Sequence, residues 1–406
     1  MVLADRGLVN PGGVGPPDQF GTCADKVSLT ILEVRATRGV LDYPGGNREI
    51  TLSVRSFHAP APFPATPAVR HHLPDSCIGH HGAGGVTTTS DRIPSGPDGM
   101  QTRLLHELES VVEDNLNRHM AIAKDWQPHD YIPWSRGRDF AFLGGEDWVP
   151  EDSPLDPVAK TAMVVNLLTE DNLPSYHREI ATRFSRDGAW GQWVGRWTAE
   201  EGRHGIALRD YLVVTRGVDP VKLEALRMEH MTAGYDSGEK TALQAVAYVS
   251  FQELATRVSH RNTGAATGCP VAEQLLGRIA QDENLHMIFY RNLVAAALDR
   301  APDATMSAIR DEVVGFTMPG AGMTDFQRNS VTIAKAGIYD LRLHHDAVIQ
   351  PVLKFWKIFD RDDFGPDGEK AREELSDFLV GLDAQASRFV EQRERMRARD
   401  AARAGK

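Results

Sequence analysis

The sequence predicts an all-α protein: a bundle of long helices built around a dinuclear metal site and preceded by a disordered N-terminal segment. Three observations predict it. Beyond residue 157 apolar residues recur at helical spacing through one long segment after another, and no strand-like alternation competes. Helix start and stop signals fall between those segments. Four acids and two histidines interrupt the apolar stripes at matching places in two pairs of helices.

Residues 1–99 hold 14 Gly and 11 Pro, against 22 Gly and 12 Pro in the rest of the chain, and all seven Trp lie beyond residue 100. Stretches such as HAPAPFPATPAV and HHGAGGVTTTSD cannot bury enough apolar area to offset chain entropy, so this segment is expected to be disordered. The functional domain is placed at 100–400. Helical writing begins after Met100, where Leu104, Leu105, Leu108, Val111, Val112 and Leu116 share a face. The stretch 125–157, carrying Trp126, Trp134 and Trp148, reads as an ordered loop packed on the bundle. Helices follow at 158–184, 188–214, 219–233, 239–263 and 270–299, then shorter ones to about residue 360 and a charged final helix. Asp219-Pro220 and Pro302-Asp303 mark starts, and Gly217, Gly234 and Gly264 mark ends. Pro174, one turn after Glu170, removes a backbone bond and predicts a bend there. The basic run Arg393 to Arg403 reads as a solvated tail.

The composition, 41% hydrophobic and 25% charged, is that of a globular chain. A net charge of -11 argues against nucleic acid or an anionic membrane surface as the main partner. Cys23, Cys77 and Cys269 are too few and too scattered for a disulfide framework or a zinc spacing. No signal peptide opens the chain and no long apolar run follows, so a soluble cytoplasmic protein without membrane insertion is expected.

Two helices carry a doubled acid followed by histidine, Glu200-Glu201-Gly-Arg-His204 and Asp282-Glu283-Asn-Leu-His286. Three residues of helix make close to one revolution, so Glu201 shares a face with His204 and Glu283 with His286. Val194, Trp197 and Leu208 continue the first face; Leu276, Ile279 and Tyr290 continue the second. Glu170 lies likewise between Met163, Leu167 and Leu173, and Glu253 between Val246, Val249 and Thr256. Four inward carboxylates would repel one another and be driven toward protonation. Two divalent ions balance four negative charges, and oxygen and imidazole donors without thiolate favour iron or manganese. One Glu from each of two helices and Glu-x-x-His from two others is the pattern of ferritin-like carboxylate proteins, carried over here as a general rule.

At these residues the chain resembles the soluble acyl carrier protein desaturases of plant plastids and actinobacteria, most closely the actinobacterial branch. The resemblance runs from about residue 100 to 400 and rests on TEDNLPSY around Glu170, RWTAEEGRHG around Glu201, SFQELATRVSHRNT around Glu253 and DENLHMIFY around Glu283. It implies two irons per chain, bridged by Glu201 and Glu283, with Glu170 and Glu253 as terminal ligands and His204 and His286 each on one iron. Thr256 then lies beside the oxygen-binding side, and Trp126, Asp282 and His204 form an electron route. The implied activity is O2-dependent desaturation of a fatty acyl chain on acyl carrier protein, by a homodimer fed by a ferredoxin-type donor and its reductase. Gly202, Asn284-Leu285 and a shorter segment between Glu170 and Glu201 depart from the plant wording. Arg178, Arg183 and Arg186 are candidates for docking the acidic carrier. Other readings of the same ligands are a diiron hydroxylase, N-oxygenase or radical generator, with Tyr290 as a radical site, and an iron-storage protein.

Overall fold

The computed structural model describes residues 97–404, so the disorder expected for the N-terminal segment lies outside the described residues, apart from the last three positions, which open the first helix. The helices are α1 (Pro97–Ile122), α2 (Pro157–Asp171), α3 (Leu173–Arg183), α4 (Gly188–Val214), α5 (Pro220–Ala233), α6 (Ala242–Ala266), α7 (Pro270–Arg300) and α8 (Pro302–Val314). They are followed by α9 (Phe326–Ala336), α10 (Leu341–Leu343), a π turn (His344–Ile349), α11 (Gln350–Trp356) and α12 (Pro366–Ala404). No strand occurs among the described residues, and none of their helices is long and apolar enough to cross a membrane.

Local chemistry places these ends. The Asp219 carboxylate accepts from the backbone N–H groups of Val221 and Lys222 at the start of α5. Thr241 and Gln244 form a reciprocal capping box that opens α6. Prolines stand in the first turn of α2, α5, α7 and α8, where the missing N–H costs nothing.

Helices α2, α4, α6 and α7 form the bundle: α2 packs on α4 and α6, and α7 on α4 and α6, with α1 laid against α4 and α7. Its interior is two apolar clusters. Val194, Trp197, Met287 and Tyr290 belong to one, and Leu208, Tyr211, Leu276 and Ile279 to the other. Along both α4 and α7 the change of cluster coincides with the acid and histidine positions, so the polar layer divides the core.

Three expectations need correction. The helix expected over 158–184 is two helices, because Pro174 has no N–H for the Glu170 carbonyl; the N–H of buried Asn172 bonds it instead, and α2 ends one residue after Glu170. Gly264 does not follow a helix but lies within α6, where a β-carbon would stand 3.2 Å from the Glu273 Cα and 3.2 Å from the Leu276 Cβ. Its smallness lets α6 and α7 approach. Gly264→Leu is therefore expected to destabilise the fold by about 1–3 kcal/mol through overpacking, read as a lower melting temperature with metal content per folded chain unchanged. Finally, the basic tail is not merely solvated: Arg393 donates to the Ala334 carbonyl and pairs with Asp340, and Arg397 donates to the Lys335 and Ala336 carbonyls, satisfying the last carbonyls of α9.

The stretch 125–157 is ordered as short 3-10 turns, but its tryptophans differ in role. Trp126 is buried, Trp148 donates to the Arg216 carbonyl at 2.8 Å, and Trp134 is largely exposed.

Candidate metal centre

All six residues expected as ligands converge in the divided core: Glu170 from α2, Glu201 and His204 from α4, Glu253 from α6, and Glu283 and His286 from α7. They form two groups. Glu170, Glu201, His204 and Glu283 bring one donor atom each within 4.8 Å of one another, and so do Glu201, Glu253, Glu283 and His286. Glu201 and Glu283 are common to both. The donor atoms themselves are unsatisfied: Glu201 Oε1, Glu253 Oε2, Glu283 Oε1, His204 Nδ1 and His286 Nδ1 are buried without hydrogen-bond partners. His286 Nδ1 lies 2.8 Å from Glu201 Oε1 without hydrogen-bond geometry. Buried donors left unpaired are costly unless a cation takes their lone pairs, so this set fits a dinuclear metal.

Electrostatics points the same way. Burial and the neighbouring Glu283 carboxylate raise Glu201, and raise Glu253 well above the usual carboxylate range. Glu283 is lowered against its burial by the neighbouring Glu253 and His204 side chains. Burial opposes charge on Glu170 too, but the neighbouring His204 and His260 imidazoles hold it well below the usual range. The four acids therefore cannot all ionise at ease without positive charge among them.

The first acid of each doubled pair works crosswise. Asp282, beside Glu283 on α7, lies 3.4 Å from His204 Nε2 on α4. Glu200, beside Glu201 on α4, lies 2.9 Å from His286 Nε2 on α7. Each thus holds the outer nitrogen of the other helix's histidine and turns its Nδ1 inward, the usual way a carboxylate orients a ligating imidazole. Despite its burial, Asp282 is lowered to about 2 by His204 and the Trp126 indole, which donates to it at 2.7 Å. Arg278 also pairs with Asp282, and Arg196 with Glu200. Arg203 reaches both acids, at 3.4 Å to Asp282 and 3.7 Å to Glu200.

The Thr256 hydroxyl lies 3.1 Å from Glu283 Oε2, and Thr169, Glu170 and Thr256 line two cavities. Tyr290 is fully buried core, against Phe184, Trp193 and Phe289. Arg183 is not free to dock a partner, since its guanidinium is committed to Glu179 and to the loop before α6.

Sequence reasoning missed three residues. Glu200 was visible as half of a doubled acid. His260, one turn beyond Thr256, contacts Glu170 Oε1 at 2.8 Å and is itself braced by Asn166. His119, one turn beyond Leu116 on the buried face of α1, lies 2.9 Å from Glu200 Oε2. Only helical position could have suggested either histidine.

A family model described as fatty acid desaturase matches residues 100–404. The chain belongs to that family. Every acid and histidine of the site falls inside the match. Within the family, the chain is 54% identical over 312 residues to a protein of Mycobacterium tuberculosis provisionally named acyl-[acyl-carrier-protein] desaturase DesA1, covering 75% of this chain and 92% of that one. Identity is 31% over 296 residues to stearoyl-[acyl-carrier-protein] 9-desaturase 6, chloroplastic, of Arabidopsis thaliana, over 68% of this chain and 73% of the other. An X-ray structure of the provisionally named acyl-ACP desaturase DesA2 from Mycobacterium tuberculosis H37Rv matches with a TM-score of 0.56 at 34% identity, over 66% of this chain and 99% of that chain. The fold is thus the ferritin-like bundle of this desaturase family.

Proposed function

We propose that the protein is an O2-dependent acyl-[acyl-carrier-protein] desaturase whose two irons are held by Glu170, Glu201, His204, Glu253, Glu283 and His286. The observation that carries this reading is a pair of cavities beside the carboxylates that share Thr169, Glu170 and Thr256 as lining. Their walls are largely apolar, among them Ile180, Trp197 and Val249 on one side and Val165, Phe326 and Ile333 on the other. Apolar space on both sides of these residues suits an alkyl chain passing the metal-facing wall. In the overall reaction two hydrogens leave adjacent methylenes and, with two electrons from a donor and two protons from solvent, reduce one O2 to two waters. The irons supply oxygen activation when bound.

The chain's own residues do the rest. Glu201 and Glu283, shared by both groups, would hold both ions, and Glu170 and Glu253 would each hold one. Asp282 and Glu200 fix His204 and His286 with Nδ1 inward. The Thr256 hydroxyl stands on the cavity side of Glu283, positioned to hold a proton near the face the alkyl chain passes. The apolar walls keep bulk water from that face.

Electrons enter, on this reading, along Trp126, Asp282 and His204. Beside that route lies a groove lined by Lys124, Arg257, Arg261 and Arg278 and by no carboxylate, with the Arg278 guanidinium 5.8 Å from the Trp126 ring. Such a groove favours an acidic donor of the ferredoxin type.

Turnover with acyl carrier protein thioesters, ferredoxin, reductase and O2 tests the proposal, and the product's mass, two hydrogens lighter, separates it from hydroxylation. Carrier thioesters are expected to exceed coenzyme A thioesters and free acids by on the order of tenfold or more in kcat/KM, with the advantage shrinking at high salt. Burial of the tail contributes similarly whatever the carrier, so only the protein contact can discriminate. Equal rates for all three, insensitive to salt, would refute the carrier assignment.

A further inference from the structure

Two rings from one short stretch of chain serve the two halves of the metal centre. His119 lies in the last turn of α1, and Trp126 stands just past the end of that helix. The Trp126 indole donates to Asp282 Oδ2 at 2.7 Å, and Arg278 pairs with the other oxygen, Oδ1. His119 Nε2 lies 2.9 Å from Glu200 Oε2, and Arg196 pairs with Oε1. In each half, therefore, the carboxylate that orients a ligating histidine has a ring nitrogen on the oxygen facing that histidine and an arginine on the other. The fit is closer in the His286 half: Glu200 Oε2 lies 2.9 Å from His119 Nε2 and 2.9 Å from His286 Nε2, so one oxygen receives both. A carboxylate only accepts, which places a proton on each of these nitrogens. His119 is buried, and its Nδ1 has no hydrogen-bond partner among the described residues. Its ring stacks 5.9 Å from that of His286 and meets the Trp193 ring edge-on at 5.1 Å. A buried imidazole with one nitrogen unpaired is costly; the bond to Glu200 is the compensation the structure shows.

We propose that His119 is a positioning residue for one of the two irons: it holds Glu200 against His286, as Trp126 holds Asp282 against His204, so the end of α1 braces both halves. The inference rests on the dinuclear reading above and adds a residue that lies outside both donor groups. Without the His119 N–H, nothing on α1 opposes Arg196 and Arg203, which lie at Glu200 Oε1. The carboxylate then turns toward the two guanidinium groups, and the His286 ring loses the acceptor that keeps its Nδ1 inward. Asp282 keeps both Trp126 and Arg278 through this change. The effect should therefore fall on one ion.

Iron release tests this without turnover. The iron-loaded full chain, reduced and kept free of oxygen, is challenged with an excess of a ferrous chelator, and release is followed by the colour of the chelate. His119→Met, which fills the space but offers no N–H, is expected to release one of its two irons about tenfold faster than wild type and the other at the wild-type rate. His119→Gln, whose amide nitrogen reaches the place of Nε2, is expected to return the fast iron to within about threefold of wild type. Trp126→Phe should likewise free one iron, and the double variant both, because the two residues serve different histidines. Should His119→Met not fold, His119→Asn, whose amide is too short to reach Glu200 Oε2, carries the same expectation. Wild-type release from the folded variant, equal acceleration of both irons, or a glutamine variant as fast as the methionine one would overturn the brace and leave the dinuclear reading standing. So would a double variant that keeps one iron at the wild-type rate. A wild-type chain that holds fewer than two irons would overturn that reading and the brace together.

Discussion

Glu283→Ala is expected to hold at most one metal ion per chain and to bring turnover to background. Glu283 belongs to both donor groups, so one substitution removes a ligand from each. It also removes a partner of Thr256, whose hydroxyl lies 3.1 Å from the Glu283 carboxylate. Charge follows the same direction: with Glu283 gone, three carboxylates face the ions, and although burial still raises Glu201 and Glu253, the Glu283 charge no longer adds to it. The folded state should consequently survive without metal better than that of the parent. Elemental analysis of the purified variant, alongside product analysis, checks both parts; two ions retained with measurable desaturation would show that Glu283 does not bridge.

The second large effect is expected at the outer acids. Asp282→Asn and Glu200→Gln should each lower metal affinity or turnover by about 10–100-fold, the usual cost of losing the group that orients a ligating histidine. Neither residue is itself in a four-donor group, so a purely local view would rank them as bystanders. Because Arg203 touches both acids, their effects are coupled, and the double variant should lose less than the product of the two single losses. Titration of metal into the three variants, with kcat measured in parallel, decides this. Activity within twofold of wild type in either single variant would show that packing alone holds the imidazoles.

The helices were legible because amphipathic periodicity and capping chemistry are local. The site was legible for a related reason: four acids interrupting apolar stripes demand a common counter-charge, and Glu-x-x-His fixes a shared helical face. What escaped depends on contacts between elements. Whether Gly264 ends a helix or admits a neighbour is decided by α7. Whether Arg393 and Arg397 are solvated is decided by the carbonyls of α9. His119 and His260 lie on faces that periodicity marks as interior, but nothing local distinguishes a histidine bonded to a carboxylate from one merely packed.

The ligand positions repeat in two halves, but their neighbours do not. Outside His204 stand Asp282, the Trp126 indole and then the cationic groove. Outside His286 stand Glu200 and His119, closed off by Trp193, whose ring meets both imidazoles edge-on. On the proposed electron route, one half faces the groove and the other does not. Duplicated chemistry has thus been given polarity by its surroundings, so two ions with like ligands would have unlike access to the outside world.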